Sequence, residues 1–248
     1  MTPTISIIIP AFNESERIVE PLGKVVDFVR ASDNPIEIVV VDDGSSDDTA
    51  QVTRELLSET PAIASNVIKY DVNRGKGFAI KTGLLGAKAD VALFSDADLS
   101  TPIEELHKLV TPINQGQFDV TFGSRAIDRS LIGTHQPWTR EQGGRLVNLM
   151  IRTLSGLNFS DTQCGFKAFN MTKFRPLLEM MKIDRFGFDV EFLYVAKHNG
   201  LRLAEIPVRW NDVAGSKVSA VRDTRRMVME LMQIRKNSRQ GAYDLKRS

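Results

Sequence analysis

Val91-Ala92-Leu93-Phe94-Ser95-Asp96-Ala97-Asp98 is the stretch that decides how this chain is read. Its apolar first half has the length of a buried strand. Two carboxylates follow, one residue apart, where that strand would end. Hard cations such as Mg²⁺ and Mn²⁺ take oxygen ligands and are commonly shared with substrate phosphates. Asp96 and Asp98 are therefore candidate metal ligands. An Asp-x-Asp by itself also describes an ordinary solvated turn, so the surrounding pattern must carry the argument.

Outward from this stretch the chain alternates strand and helix signals. Toward the N-terminus, strands are expected over 5–9, 36–41 and 62–69, with helices over 15–30, 48–57 and 76–87. On the other side, Thr101-Pro102-Ile103-Glu104 predicts a helix start, with Thr101 as N-cap and Glu104 closing a capping box. Such alternation implies a mainly parallel sheet with helices on both faces. Ligands of these sheets bind at the carboxyl ends of the strands. The polar punctuation falls at those ends: Pro10-Ala11-Phe12-Asn13-Glu14, Asp42-Asp43-Gly44-Ser45-Ser46-Asp47, Asp71-Val72-Asn73-Arg74-Gly75-Lys76-Gly77 and the Asp-x-Asp. The glycines of the third cluster would let backbone N–H groups approach an anion at a helix N-terminus. Its spacing matches neither a P-loop nor Gly-x-Gly-x-x-Gly.

The second half alternates less regularly. Strands are expected over 118–122 and 201–210, and a turn into a short strand over 161–170. Helices are expected over 145–157, over 189–198 and from Asp223, and a polar loop over 126–144. Trp210 reads as packing at a strand end, and Cys164 as a small buried residue.

Composition narrows the class. The 248 residues are 42% hydrophobic and 25% charged, with a formal net charge of +1. That is an ordinary globular balance, with no global field favouring nucleic acid. The single cysteine excludes an intramolecular disulfide and fits a reducing compartment. No basic n-region precedes the first strand, and no apolar run approaches a bilayer span. The expectation is a cytoplasmic protein, soluble or peripheral at the cytoplasmic membrane face.

Taken in order, several stretches resemble the family 2 glycosyltransferases of the GT-A (nucleotide-diphospho-sugar transferase) fold. They are Ile8-Ile9-Pro10-Ala11-Phe12-Asn13-Glu14, Val40-Val41-Asp42-Asp43-Gly44-Ser45-Ser46-Asp47, Ser95-Asp96-Ala97-Asp98-Leu99, Asp161-Thr162-Gln163-Cys164-Gly165-Phe166-Lys167, Phe188-Asp189-Val190-Glu191 and Glu205-Ile206-Pro207-Val208-Arg209-Trp210, followed by Gly215-Ser216-Lys217. Within that family the chain is most similar to dolichyl-phosphate β-glucosyltransferases and related polyprenyl-phosphate glycosyltransferases. The likeness runs from about residue 5 to residue 234.

The resemblance implies a Rossmann-like α/β sheet, in a GT-A domain over 1–215 with a basic amphipathic helix and tail over 216–248. It implies transfer of a sugar, glucose by similarity, from a UDP-sugar to a polyprenyl (dolichyl- or undecaprenyl-type) phosphate, with inversion and with Mg²⁺ or Mn²⁺. Pro10, Ala11, Asn13, Glu14 and Asp42 would line the uridine pocket, and Asp71, Arg74 and Lys76 would close it. Asp96 would face ribose or metal beside Ala97, and Asp98 would bind the metal. Arg125, Arg140 and Lys217 would contact phosphates. The nucleophile, a phosphate monoester with a second pKa of about 6, needs positioning more than a base. Asp161 is the candidate if a base is used; otherwise it is a turn carboxylate. Glu191 would orient an arginine or form a structural salt bridge.

A membrane surface is a further implied partner. From Lys217 to Arg239, basic residues surround Met227, Val228, Met229, Leu231, Met232 and Ile234. That pattern suits either a membrane-surface helix or one packed on its own domain. Three other functions stay open on sequence alone: a family 2 enzyme with a soluble or polysaccharide acceptor, a sugar-nucleotidyltransferase, and a silent nucleotide-sugar-binding protein.

Overall fold

The computed structural model describes residues 3–134, 138–213 and 220–245. Among them a seven-stranded sheet runs in the order β3-β2-β1-β4-β6-β5-β7. Its strands are β1 (Ile5–Ala11), β2 (Ile36–Asp42), β3 (Ser65–Lys69), β4 (Val91–Ser95), β5 (Val120–Ser124), β6 (Phe166–Asn170) and β7 (Leu203–Pro207). All pairings are parallel except those of β6, which is antiparallel to both β4 and β5. The helices are α1 (Val19–Arg30), α2 (Thr49–Ser58), α3 (Lys76–Gly86), α4 (Leu106–Asn114), α5 (Trp138–Ser155), α6 (Met171–Leu178), α7 (Phe188–His198) and α8 (Ala220–Arg239).

Central strands β1, β2 and β4 are buried at every residue. Their near-continuous apolar runs reflect helices covering both faces. Successive side chains point to opposite faces. Ile5, Ile7 and Ile9 join Ile38 and Val40 in one core layer, with Leu22 and Val25 of α1. Ile8 joins Val39 and Val41 in the other, with Ile80 and Leu84 of α3. Helix α8 belongs to that second layer through Met227, Leu231 and Ile234.

Four local expectations are corrected. First, α1 starts at Val19, because 15–18 form a turn whose Ser15 is bonded to Asp47. Second, no capping box forms at Thr101. The chain enters α4 through a 3-10 turn, Ile103–Glu105, without a side-chain cap. Its Thr101 hydroxyl faces Cys164, and Glu105 is drawn to Arg209 at 2.5 Å and Lys108 at 2.7 Å. Third, the expected 126–144 loop becomes helical from Trp138. Gly143 and Gly144 read as breakers, yet glycine costs only about 1 kcal/mol in a helix. Burial of Ile151, about 1.5–3 kcal/mol, offsets a cost of that size. Fourth, α6 was not foreseen, since Pro176 lies inside its eight residues. No element is expected over 171–178; the helix starts at a cap by Asn170, and Met171, Phe174, Leu177 and Leu178 are all buried. The corresponding gain of about 1.5–3 kcal/mol per large side chain overrides propensity.

The loops after β1 and β2 are bound to each other. Asn13 accepts from Ser46 N and Oγ, Asn13 N donates to Ser45 Oγ, and Glu14 N donates to Thr49 Oγ1. Asp47 accepts from the backbone N–H and hydroxyl of both Ser15 and Thr49. Burial pushes its carboxyl up, but these hydrogen bonds outweigh that and bring the pKa to about 2. A folded-state value below that of the unfolded chain means stability present above about pH 4 and lost as pH falls toward 2. Asp47→Asn is thus expected to be less stable than the wild type at pH 7, with the gap closing between about pH 5 and pH 2. Urea unfolding across that range checks it; a gap that stays constant would refute the linkage.

Candidate active site

A cleft of about 380 Å³ opens at the carboxyl ends of β1, β2 and β4. Each strand delivers its last residues and the loop that follows to that edge. Pro10, Ala11 and Glu14 arrive from β1, Asp43 from β2, and Asp96, Ala97 and Asp98 from β4. Lys76 enters from the first turn of α3. A wider depression of about 990 Å³ lies at the opposite edge, around Lys88, Asp90 and Arg175, away from the strand-end carboxylate pair.

Asp96 is held on three sides. Its N–H donates to Gly165 O at 3.0 Å, which fixes the β4 end to the start of β6. Its carboxylate lies against Gly165 so closely that a Cβ there would overlap both oxygens. Lys76 Nζ ion-pairs with Asp96 Oδ1 at 2.5 Å. Burial pulls the Lys76 ammonium down, but Asp96, Asp189 and Asp98 more than compensate and raise it above the ordinary lysine value. Lys76 is therefore a permanent cation. Asp98 is exposed, and its Oδ1 accepts from Ser100 N at 2.9 Å.

Asp43 organises the turn that presents Lys76. Its buried carboxylate accepts from Tyr70 Oη, Asn73 Nδ2, Arg74 N and Gly75 N, all within 2.7–2.9 Å. Gly75 has φ +113, and a Cβ there would collide with Asp184 O. Only glycine fits both that conformation and that approach. Arg74 leaves the cleft and stacks over Phe78, 3.5 Å from the ring centroid.

Beside the cleft, at the end of β5, Arg125 meets Asp161 in a bidentate pair of 2.6 and 2.8 Å. Burial pushes the Asp161 carboxyl up, but Arg125 outweighs it and keeps it below the usual range. Asp161 is thereby committed as a holder of Arg125. Asp161 N is held in turn by Glu205, which also accepts from Ser124 Oγ. Trp210 packs with its ring 5.5 Å from the Arg125 guanidinium, as the strand-end packing reading expects. Cys164 is buried, and burial pushes its thiol up to about 12.

A buried ion pair lies beneath Asp96. Lys167 is fully buried, with Nζ 2.5 Å from Asp189 Oδ1 and 2.6 Å from Cys164 O. Asp189 sits in the first turn of α7, where the helix dipole favours a carboxylate.

Of the residues singled out from sequence, Pro10, Ala11, Glu14, Lys76, Asp96, Ala97 and Asp98 line the cleft. Asn13 braces the loops instead. Asp42 is buried below the cleft, with Oδ1 capped by Ser45 N and Oδ2 3.6 Å from Lys69. Asp71 and Arg74 are exposed and are not among the lining residues. The side chain of Arg140 and all of Lys217 lie outside the described residues. Asp43, Lys167, Asp189, Arg185 and Phe186 escaped notice as site residues. Asp43 carried a signal, a second carboxylate at the same strand end, and Lys167 and Asp189 lie in stretches that carry the resemblance; Arg185 and Phe186 are brought in by a distant segment.

The donor set suits a cation that shares its coordination with a diphosphate. Asp96 and Asp98 offer hard oxygen ligands, and Mg²⁺-type sites use one or two carboxylates plus substrate oxygens. Among the described residues no group of three or more His, Cys, Asp or Glu converges to cage a metal without substrate.

Known proteins place this geometry in a family. The model for glycosyl transferase family 2 matches residues 6–178. The dolichyl-phosphate beta-glucosyltransferase of Saccharomyces cerevisiae is 30% identical over 96% of this chain and 76% of its own length. The human protein of that name is 29% identical over the whole chain and 79% of its own, and one from Trichomonas vaginalis is 34% identical over 96% and 73%. Glucosyl-3-phosphoglycerate synthase from Mycobacterium tuberculosis, in complex with Mn²⁺, UDP-glucose and phosphoglyceric acid, has the same fold. Its TM-score is 0.67 at 20% identity, over 94% of this chain and 79% of that one. Mannosyl-3-phosphoglycerate synthase from Rubrobacter xylanophilus matches at TM-score 0.67 and 19% identity, over 99% and 77%. With a GT-A sheet, an aspartate pair at the end of β4 and a family model spanning most of its length, the chain belongs to glycosyl transferase family 2.

Proposed function

We propose that this glycosyltransferase moves glucose from UDP-glucose to the phosphate of a polyprenyl phosphate, with inversion at the anomeric carbon. The observation that carries this reading is its similarity, over nearly its full length, to enzymes named dolichyl-phosphate beta-glucosyltransferase. The cleft supports the donor half. An acceptor phosphate oxygen attacks the anomeric carbon, the bond to the UDP β-phosphate oxygen breaks, and that oxygen leaves with the electron pair. Lys76 places a fixed positive charge at the cleft where the diphosphate would sit, and cations positioned in advance stabilise developing charge without reorganisation. Asp96 and Asp98 would hold Mg²⁺ or Mn²⁺, which would neutralise the diphosphate and act as Lewis acid toward it. Pro10, Ala11 and Glu14 would form the nucleotide wall.

The acceptor half follows from Arg125. Asp161 fixes its guanidinium through Nε and Nη2, leaving Nη1 to engage an acceptor phosphate. A phosphate nucleophile near pH 7 is largely dianionic and needs no base, in keeping with an Asp161 already committed to Arg125. Arg140 and Lys217 are assigned to the phosphates as well, by resemblance.

No helix among the described residues is long and apolar enough to cross a membrane. We assign contact with the lipid to the outer face of α8 and the neighbouring α5. Met227, Leu231 and Ile234 turn into the core, while Met229, Met232 and, on α5, Leu149 are exposed. Met229, Met232 and Lys236 share one helical face, with Arg235 and Arg239 alongside. Apolar residues rimmed by cations suit an anionic membrane surface.

UDP release from UDP-glucose and other UDP- and GDP-sugars, with Mg²⁺ or Mn²⁺ and with or without a short polyprenyl phosphate, tests the reaction. Release should require the lipid phosphate, and Asp98→Ala should lower it by at least about a hundredfold. Release indifferent to the lipid would transfer the enzyme to a soluble acceptor. Gly165→Ala should cost about as much by displacing the Asp96 carboxylate, with a nearly unchanged melting temperature; full activity would show that the cradle is dispensable. In flotation at low salt, the protein should rise with phosphatidylglycerol vesicles. Met229→Asp with Met232→Asp should leave it at the bottom, and undiminished flotation would exclude this face.

A further inference from the structure

Among the described residues, none of α8 or of the turn after it (240–243) lines the cleft, yet both hold part of its wall. Arg185 and Phe186 belong to that wall. They lie in the connection between α6 and α7, whose Asp184 O accepts from Phe78 N at 3.1 Å and lies against Gly75. The connection therefore shapes the cleft twice, with its own side chains and by backing the turn that presents Lys76.

What holds the connection comes from elsewhere. Glu191, fully buried on α7, accepts from Lys182 N and Ile183 N at 2.9 Å each. Tyr243 Oη donates to the same Glu191 carboxylate, and Asn237 Nδ2 donates to Tyr243 Oη at 3.0 Å. Glu230 of α8 accepts from Gly187 N at 2.7 Å. Tyr243 is itself locked in place: its ring is fully buried and its carbonyl accepts from Asn199 Nδ2 at 2.8 Å. Among the described residues Glu191 neither orients an arginine nor forms a salt bridge. It passes the position of Tyr243 on to the backbone of 182–183.

We propose that Glu230, Glu191 and Tyr243 are positioning residues of the nucleotide site. The C-terminal segment braces 182–187 at both ends and so sets Arg185, Phe186 and the Gly75 turn for a nucleoside diphosphate. The proposal rests on the donor reading given above. A loop held in its binding conformation spares the ligand the cost of ordering it, which appears as affinity.

The test pairs two readouts on the full chain. Tyr243→Phe keeps the buried ring and removes the hydroxyl. Glu230→Ala removes the acceptor for Gly187 N, and Glu230→Gln keeps one. Amide hydrogen exchange without nucleotide should speed up at Lys182, Ile183 and Gly187 in the first two variants, while β1 and β4 stay protected. Calorimetric titration with UDP and Mn²⁺ should show affinity weakened about tenfold, restored in Glu230→Gln. A merely structural role would lower the melting temperature and leave affinity unchanged; that result, or unaltered exchange at 182–187, overturns the proposal. If the wild type binds GDP rather than UDP, the donor reading fails, and the same comparison is made with GDP. If it binds neither, both the donor reading and the proposed role fail.

Discussion

Strand β1 is buried at all seven residues between two strands that are equally buried, and this constraint governs the placement of every functional group. A charge inside such a strand costs several kcal/mol in desolvation unless it is partnered, as Glu37 near the amino end of β2 is by the Ser6 hydroxyl and Lys88 N. Carboxylates are therefore displaced to the strand ends, and in a parallel arrangement β1, β2 and β4 all end at the same edge. The cleft is a consequence of the core, and the chemistry gathers where the apolar runs stop.

Antiparallel β6 adds what a purely parallel sheet could not. Running back between β4 and β5, it brings its amino end beside the carboxyl end of β4, with Ser95 opposite Phe166. Gly165 then lies under the Asp96 carboxylate, and Lys167 points into the core toward Asp189. Lys76 feels Asp96, Asp189 and Asp98 together, so the charges near the cleft act as one coupled group. Removing one member of a buried pair such as Lys167 and Asp189 typically costs about 3–5 kcal/mol, mostly because the other is left uncompensated. Charges held in place before a diphosphate arrives need little reorganisation when it does.

The two faces of α8 divide its labour. Met227, Leu231 and Ile234 complete a core layer shared with the sheet; Glu230 reaches the α6–α7 connection directly, and Tyr243, in the turn after α8, reaches it through Glu191. Its outer stripe, Met229 and Met232 among cations, is exposed. The alternatives of packed helix and membrane-facing helix are thus compatible, because a helix of this length has room for an apolar stripe on each side.

Periodicity along the sequence determined the α/β class, the parallel central strands and the edge at which the cleft lies. These depend on local alternation and on where polar residues interrupt it. Seven of the expected site residues, from Pro10 to Asp98, are cleft-lining for the same reason: each lies at or just beyond the carboxyl end of a strand, or starts a helix there. Only the tertiary structure decided the rest. That Asp43 builds the Gly75 turn while Asp42 stays below it depends on which way successive residues of one strand end point. That Asp161 clamps Arg125, that Gly165 makes room for Asp96, and that Tyr243 reaches Glu191 are contacts between residues 36, 69 and 52 positions apart. Pairings of that kind depend on how whole elements pack, and no local pattern in the chain encodes them.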